Sequence, residues 1–344
     1  MKTLRLALIG FGNVGQGFAQ ILIEHGSRLA VQYGVQFKIV AVADLQKGSV
    51  ADAAGLDPQL LLQAAAGGDF KSLPEALQRD WAALDMIAHV QAEVLLELAF
   101  TDLQTGEPAY SHVKAALQKG MHVVTTNKGP VALHYAELSA LAQAHGVQFA
   151  GEGTVMSGTP TVRLGQDVLR AAGIRQLEGI LNGTTNYILT QMESGLSYAA
   201  ALAQAQALGY AEADPAGDVE GHDAAGKVVI LANLLLGVPL RMADVSCQGI
   251  TGITSEMVAD AQLAGERWKL VGRLQVQPDG SVQASVQPQR LPLSHPLANI
   301  SGATNALAYT TDLVGTVTVS GPGAGRLPTG FAILSDLLAI ARIA

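Results

Sequence analysis

The opening of the chain constrains its fold more than any other stretch. Residues 4–9, LRLALI, are a short apolar run suited to a buried parallel strand, and Gly10-Phe11-Gly12-Asn13-Val14-Gly15 follows at once as GxGxxG. Gly17, Phe18, Ile21 and Leu22 then continue at helical spacing. A strand, a glycine loop and a helix in that order form a dinucleotide cradle. Gly10 makes the tight turn, Gly12 lets a pyrophosphate approach the backbone, and Gly15 lets the helix pack on the strand. The helix N-terminus receives the phosphates.

A second strand, residues 37–43, ends in Asp44, where a carboxylate can bind both hydroxyls of an adenosine ribose and repel a 2′-phosphate. It arrives later than the usual spacing because residues 24–36 lengthen the first crossover. Asp44 favours NAD, and nearby Lys47 leaves NADP open. Beyond it the chain reads as polar and helical through Arg79. Residues 86–90 and 94–100 are strand candidates, 108–119 a helix, 121–125 a strand, 131–145 a helix and 147–150 a strand. Such alternation implies a parallel sheet whose ligand lies at the carboxyl ends of the strands. Thr101 and Lys128 follow two of those ends. Lys128 is either at the ligand or a solvent-facing loop lysine.

The pattern changes at residues 151–160, GEGTVMSGTP, which read as an interdomain hinge leading into a helix from Thr161. A strand over 175–181 breaks at Asn182-Gly183-Thr184-Thr185-Asn186. There Thr184 or a neighbour caps a helix beginning at Tyr187, leaving amides at Gly183 and Thr184 to receive a carboxylate. Between 243 and 318, strands over 268–276, 282–286 and 314–319 suggest an antiparallel sheet covered by helices on one face. Its exposed edges favour a homodimer. Glycines 321, 323 and 325 precede a last helix running to the terminus. The expected architecture is an α/β Rossmann-type dinucleotide-binding domain (1–150), a second α+β substrate and dimerisation domain (151–320), and a C-terminal glycine loop and helix (321–344) returning to the first.

The acids of this charge-poor chain concentrate in one place. Glu212, Asp214, Asp218, Glu220 and Asp223 fall within twelve residues, where 29 Asp and Glu in 344 residues would supply about one. Asp214-Pro215 and Ala216-Gly217 read as a loop. A helix begins near His222, with Ala224, Val228, Leu231 and Leu235 at apolar spacing and Gly237-Val238-Pro239 as its stop. Asp223 and Lys227 are then neighbours on its first turns, either a solvated ion pair or an active group. Because the helix continues as VVILANLLLG, Lys227 sits where a buried helix meets an acidic loop. A partly desolvated lysine facing carboxylates can donate a proton or polarise a substrate oxygen.

A net charge of -8 with few basic clusters argues against nucleic acid or an anionic membrane as partner, and the longest apolar stretches are too short to span a bilayer. These features favour a small-molecule substrate and a cytoplasmic location. The lone Cys247 forms no intrachain disulfide and reads as a small buried hydrophobe. The acids match no EF-hand spacing, and no His/Cys ligand set accompanies them.

Over nearly its whole length the chain resembles the homoserine dehydrogenase family. The resemblance rests on GFGNVG at 10–15, TTNKGP at 125–130, GEGTVMSGTP at 151–160, NGTTNYIL at 182–189, LGYAEADPAGDVEGHDAAGK at 208–227 and GPGAG at 321–325. It implies reversible reduction of L-aspartate 4-semialdehyde to L-homoserine with NADH or NADPH, a step in threonine, methionine and isoleucine biosynthesis. It further implies Lys227 as proton donor, Asp223 with Glu212 binding the substrate amino end and Asp218 in support, and Lys128 between nicotinamide and substrate. Thr101, Gly209 and Gly325 would contact the cofactor. Glu152 and the carbonyls of Val155, Ser157 and Thr159 would hold a monovalent cation such as Na+, with Gly153 standing where the family usually has alanine. Some family members carry an appended regulatory or kinase domain; the expectation here is no threonine feedback through one. Two other readings fit the residues: an oxidoreductase acting on aspartate itself, and a non-catalytic NAD-responsive binding protein.

Overall fold

The protein is described by a computed structural model over residues 1–75 and 77–343, the last by its backbone alone. The chain divides into two compact units: Met1–Gly158 with the chain from Gly325 onward, and Thr159–Ala324.

In the first unit the opening strand β1 (Lys2–Ile9) feeds helix α1 (Asn13–Tyr33), and β2 (Val35–Asp44) follows. The lengthened crossover is thus a continuation of α1 to Tyr33, closed by Gly34 in the left-handed region at φ 68°. Where a polar helical stretch was expected, the chain forms β3 (Gly48–Ala51), helix α2 (Pro58–Ala66) and the short β4 (Gln78–Arg79). β3 pairs antiparallel with β2 and β4 antiparallel with β3, so the sheet is not purely parallel. Residues 86–90, expected as a strand, lie in helix α3 (Ala83–His89) with Val90 as its cap. Five residues are too few to show a period, and as a helix they bury Met86, Ile87 and Val90 while Ala88 and His89 face solvent.

The unit continues as β5 (Val94–Glu97), α4 (Ala109–Gln118), β6 (His122–Thr125), α5 (Lys128–Leu133), α6 (Tyr135–Ala144) and β7 (Phe149–Ala150). Residues 131–145 therefore form parts of two helices that meet at His134. Sheet order is β4-β3-β2-β1-β5-β6-β7, parallel from β2 to β7, and the winding reverses between β1 and β5. In a doubly wound sheet that reversal leaves a ligand crevice at the strand ends. One core cluster joins Leu4, Leu6 and Phe18 to Ile333, Leu337 and Ile340 of the C-terminal helix α13 (Arg326–Ile343). Residue 344, expected to end that helix, lies outside the described residues.

The second unit opens with the short α7 (Thr161–Arg163), continued by π and 3-10 turns to Ala172 rather than one regular helix. There follow β8 (Ile174–Ile180), α8 (Gly183–Glu193), α9 (Tyr198–Ala207), α10 (Ala216–Val219), α11 (His222–Leu231), β9 (Val245–Cys247), α12 (Ser255–Leu263), β10 (Glu266–Val276), β11 (Val282–Pro292), β12 (Thr304–Thr311) and β13 (Gly315–Pro322). Sheet order is β13-β12-β8-β10-β11-β9, antiparallel except where β9 joins β11 in parallel. α8, α11 and α12 pack on this sheet. α11 approaches closely because Gly272 of β10 has no side chain: a Cβ there would lie 2.8 Å from Val228 Cγ2. Cys247 is exposed on the short edge strand, not buried.

Candidate active site

The glycine loop lies at the reversal point of the first sheet. Gly10 has φ +88°, and a Cβ on it would stand 2.6 Å from the Leu98 carbonyl oxygen. A Cβ on Gly15 would meet the Gly10 oxygen at 2.9 Å, whereas one on Gly12 would meet nothing within 4 Å. Two glycines therefore let backbone pack on backbone, and the third faces open space. α1 begins at Gly12 without a side-chain cap, which leaves first-turn amides for an anion. The cleft above is about 770 Å³, lined by Gly10, Gly12, Asp44, Lys47, Trp81, Phe100 and their neighbours.

Asp44 closes one side of it. Its Oδ2 accepts from Phe11 N at 2.7 Å, its Oδ1 accepts from Gln46 N and Lys47 N at 3.0 Å each, and Lys47 Nζ stands 3.5 Å away. Burial works to raise this carboxyl, but the Phe11, Lys47 and Gln46 amides and the Lys47 charge outweigh it and hold it below the usual range. It is an anion at neutral pH, fixed against the loop that would hold a pyrophosphate.

A polar network absent from the sequence reading ties the next two strand ends together. Glu97, fully buried at the end of β5, faces His112 of α4, with Oε1 and Nδ1 3.4 Å apart. The Asn127 side chain donates to the Phe100 oxygen at 2.7 Å and the Ala99 oxygen at 3.3 Å, and accepts from Gly129 N at 3.1 Å. Thr125 Oγ1 donates to the Glu97 oxygen and accepts from Asn127 N, both at 3.0 Å. The loop carrying Thr101 and the helix turn carrying Lys128 are thereby set by one group of side chains. Lys128 is half-buried at the first position of α5, which Asn127 caps.

In the second unit the five acids separate into different jobs. Asp214 turns the loop by accepting from Ala216 N, and Glu220 pairs with His222 at 3.2 Å. Glu212 is exposed, and its backbone oxygen accepts from Gln206. Asp218 and Asp223 converge on Asn182, whose Nδ2 donates to them at 2.6 and 3.0 Å. Asp223 Oδ2 in turn accepts from Lys227 Nζ at 2.7 Å, and Lys227, 8% exposed, also donates to the Leu181 oxygen at 2.7 Å. Burial pushes the Asp218 carboxyl up; the Asn182 amide opposes this and the Asp223 charge adds to it.

Asn182, not Thr184, is the cap of α8: its Oδ1 accepts from Thr185 N at 2.9 Å, and the helix starts at Gly183 rather than Tyr187. The first-turn amides of Gly183 and Thr184 lack intrahelical acceptors by helix geometry. Thr184 donates its hydroxyl to the Tyr210 oxygen at 2.6 Å, tying this turn to the acidic loop.

Family models match both parts of the chain: residues 10–152 match the homoserine dehydrogenase NAD-binding domain, and residues 160–338 match the homoserine dehydrogenase domain. The chain belongs to the homoserine dehydrogenase family. It is 49% identical over 99% of its length to the NAD(+)-dependent homoserine dehydrogenase of Pseudomonas canavaninivorans, covering 97% of that protein. It is 40% identical to the homoserine dehydrogenase of Methanocaldococcus jannaschii, covering 97% of this chain and 98% of that one. The crystal structure of a putative homoserine dehydrogenase from Archaeoglobus fulgidus superposes with a TM-score of 0.87 at 37% identity, covering 98% and 99% of the two chains. A hyperthermophilic archaeal homoserine dehydrogenase mutant in complex with NADPH gives 0.84 at 26% identity, covering 99% and 98%.

As a homoserine dehydrogenase this chain is an oxidoreductase with a dinucleotide-binding domain and a catalytic domain. No helix among the described residues is long and apolar enough to cross a membrane. Among the other residues that the family resemblance singles out, Thr101 is exposed in the loop beyond β5, Gly209 has φ +74° after α9, and Gly325 has φ +136° just before α13. The 152–157 loop is buried and turns through positive φ at Met156 (57°) and Ser157 (55°), a conformation that costs a non-glycine residue on the order of 1–3 kcal/mol. Glu152 N donates to Asp336 Oδ2 at 3.0 Å, and Ser157 Oγ lies 2.7 Å from Thr329 Oγ1. Thr159 belongs to the second unit, where its oxygen accepts from Thr161 N at 2.7 Å. Gly153 has a local reason: a Cβ there would stand 2.6 Å from Thr126 Cγ2.

Proposed function

We propose that this homoserine dehydrogenase reversibly reduces L-aspartate 4-semialdehyde to L-homoserine in the cytoplasm, as a step of amino-acid biosynthesis, with NAD preferred over NADP. The observation that carries the reading is the contact chain Leu181–Lys227–Asp223–Asn182–Asp218. A bound NAD(P)H supplies the hydride. Lys227 donates to two acceptors and, as an ammonium, has a third hydrogen for the substrate oxygen, which gains negative charge as the aldehyde carbon is reduced. Lys227 then gives that oxygen its proton. Asp218, Asp223 and Glu212 counter the substrate ammonium, and the amides at Gly183 and Thr184 take its carboxylate. Lys128, set at the end of β6, orients the reacting groups.

The glycine cradle fits a dinucleotide by its open space at Gly12, and Asp44, held ionised, favours a free ribose over a 2′-phosphate. Gly10, Phe11, Gly12, Asn13, Val14, Gly15, Thr101, Gly209 and Gly325 complete the cofactor contacts in this reading. Glu152 with the carbonyls of Val155, Ser157 and Thr159 would hold a monovalent cation, and the second sheet would join two chains in a homodimer. Initial rates of homoserine oxidation with NAD and with NADP, for wild type and Lys128→Ala, test the assignment. Equal kcat/KM for the two cofactors would remove the NAD preference, and an unaffected Lys128→Ala would remove that lysine from the site.

A further inference from the structure

The cleft of the first unit extends past Asp44 to a wall that the glycine motif does not explain, formed by Leu45, Gln46, Asp80, Trp81 and Ala82. Leu45 is 91% exposed, immediately after the strand end. Opposite in sequence, Asp80 carries φ 65°, positive for a residue that is not glycine, and this turn brings the chain from β4 to Trp81. Trp81 is half-buried, packs against the core cluster below it and stacks on His89 with ring centroids 5.7 Å apart at 23°. Its orientation is therefore set before any ligand arrives. A strained turn, a braced indole and a bare leucine share one cleft, next to the carboxylate placed for a ribose.

We propose that Trp81 and Leu45 are the two walls of a clamp for the adenine ring, making Trp81 a specificity residue for the purine half of the cofactor. The inference rests on the reading of this cleft as the dinucleotide site. A base attached to a ribose at Asp44 lies beyond that ribose, where the leucine and the indole line the cleft, and every purine presents a flat face for stacking.

The chain has two tryptophans, and the second, Trp268, lies in β10 of the other unit. Trp268→Phe thus leaves Trp81 as the sole tryptophan, excited selectively on the red edge of protein absorption where tyrosine does not absorb. Titration of this variant with NADH and with AMP is expected to quench its emission. Trp81→Ala should raise the Kd for both ligands roughly tenfold, about the loss of one aromatic stacking partner. Trp81→Phe should restore most of that, and Leu45→Ala should weaken binding by less. The KM for reduced nicotinamide mononucleotide, which has no adenine, should not move in any variant. An unchanged Kd in Trp81→Ala, or an equal loss with the mononucleotide, overturns the clamp. Failure of the wild type to bind NADH overturns the dinucleotide reading instead. Should Trp81→Ala not fold, absence of AMP quenching together with an unchanged Kd in Leu45→Ala overturns the clamp.

Discussion

Lys227 Nζ stands 2.7 Å from the Asp223 carboxylate and 2.7 Å from the Leu181 oxygen, so one helical turn and one strand end meet at a single buried ammonium. If that ammonium protonates the substrate, Lys227→Ala loses at least about a hundredfold in kcat, the lower end for a positioned acid-base group. Thermal melts separate this from unfolding, because the variant also leaves Asp223 without its cation. A kcat within a few-fold of wild type would return the lysine to a structural role.

Asn182 serves two masters, and its removal should be felt by both. Asn182→Ala takes the cap from α8, at a cost of about 1 kcal/mol, and frees Asp218 and Asp223 from a shared donor. We expect a modest fall in Tm together with a rise in the KM for homoserine of roughly tenfold, the size of one lost charge-assisted hydrogen bond. A fall in Tm with KM intact would make Asn182 a cap and nothing more.

The three loop glycines should respond differently to one methyl group. Gly10→Ala forces a side chain into positive φ and against the Leu98 backbone, so stability drops by about 1–3 kcal/mol. Gly12→Ala meets no protein atom within 4 Å and should fold normally, yet it fills the space through which a pyrophosphate would approach. Its Kd for NADH is expected to rise with Tm unchanged. Equal NADH affinity in wild type and Gly12→Ala would argue against a phosphate at that position.

Glu97 offers a test in pH. Burial raises its carboxyl above the ordinary 4.5, against the lowering influence of His112. An acid whose folded value is raised favours folding fully below its unfolded value, and that contribution is lost as pH rises through the folded value. Glu97→Gln keeps the shape without the titration. Relative to the wild type, it should therefore gain stability as pH climbs from about 4.5 toward neutrality, read by denaturant melts at several pH values. A constant difference across that window would show that Glu97 does not titrate differently on folding.

Much of this was legible locally. The strand, glycine loop and first helix are contiguous, Asp44 ends a strand that periodicity reveals, and the Asp223–Lys227 pair follows from helical spacing alone. What escaped depends on distant parts of the chain. β3 and β4 are short, and each exists only by pairing antiparallel with its neighbour, β3 with β2 and β4 with β3. The run Asn182-Gly183-Thr184-Thr185-Asn186 offers several capping side chains, and the point where β8 ends chooses among them. Composition marked the five acids as a cluster, but only the fold separates Asp218 and Asp223, which meet Asn182, from Glu220, which pairs with its neighbour His222. The Glu97 network joins the successive elements β5, α4 and β6 through side chains 15 to 28 residues apart, beyond the reach of local periodicity.

Helix α13 completes the hydrophobic core that β1 and α1 begin. During synthesis, then, the module started first is finished last: its opening half must wait, apolar surface unsatisfied, until some 170 intervening residues have left the ribosome. A stop codon placed before residue 325 would spare every residue of the other module and still leave the first without part of its interior.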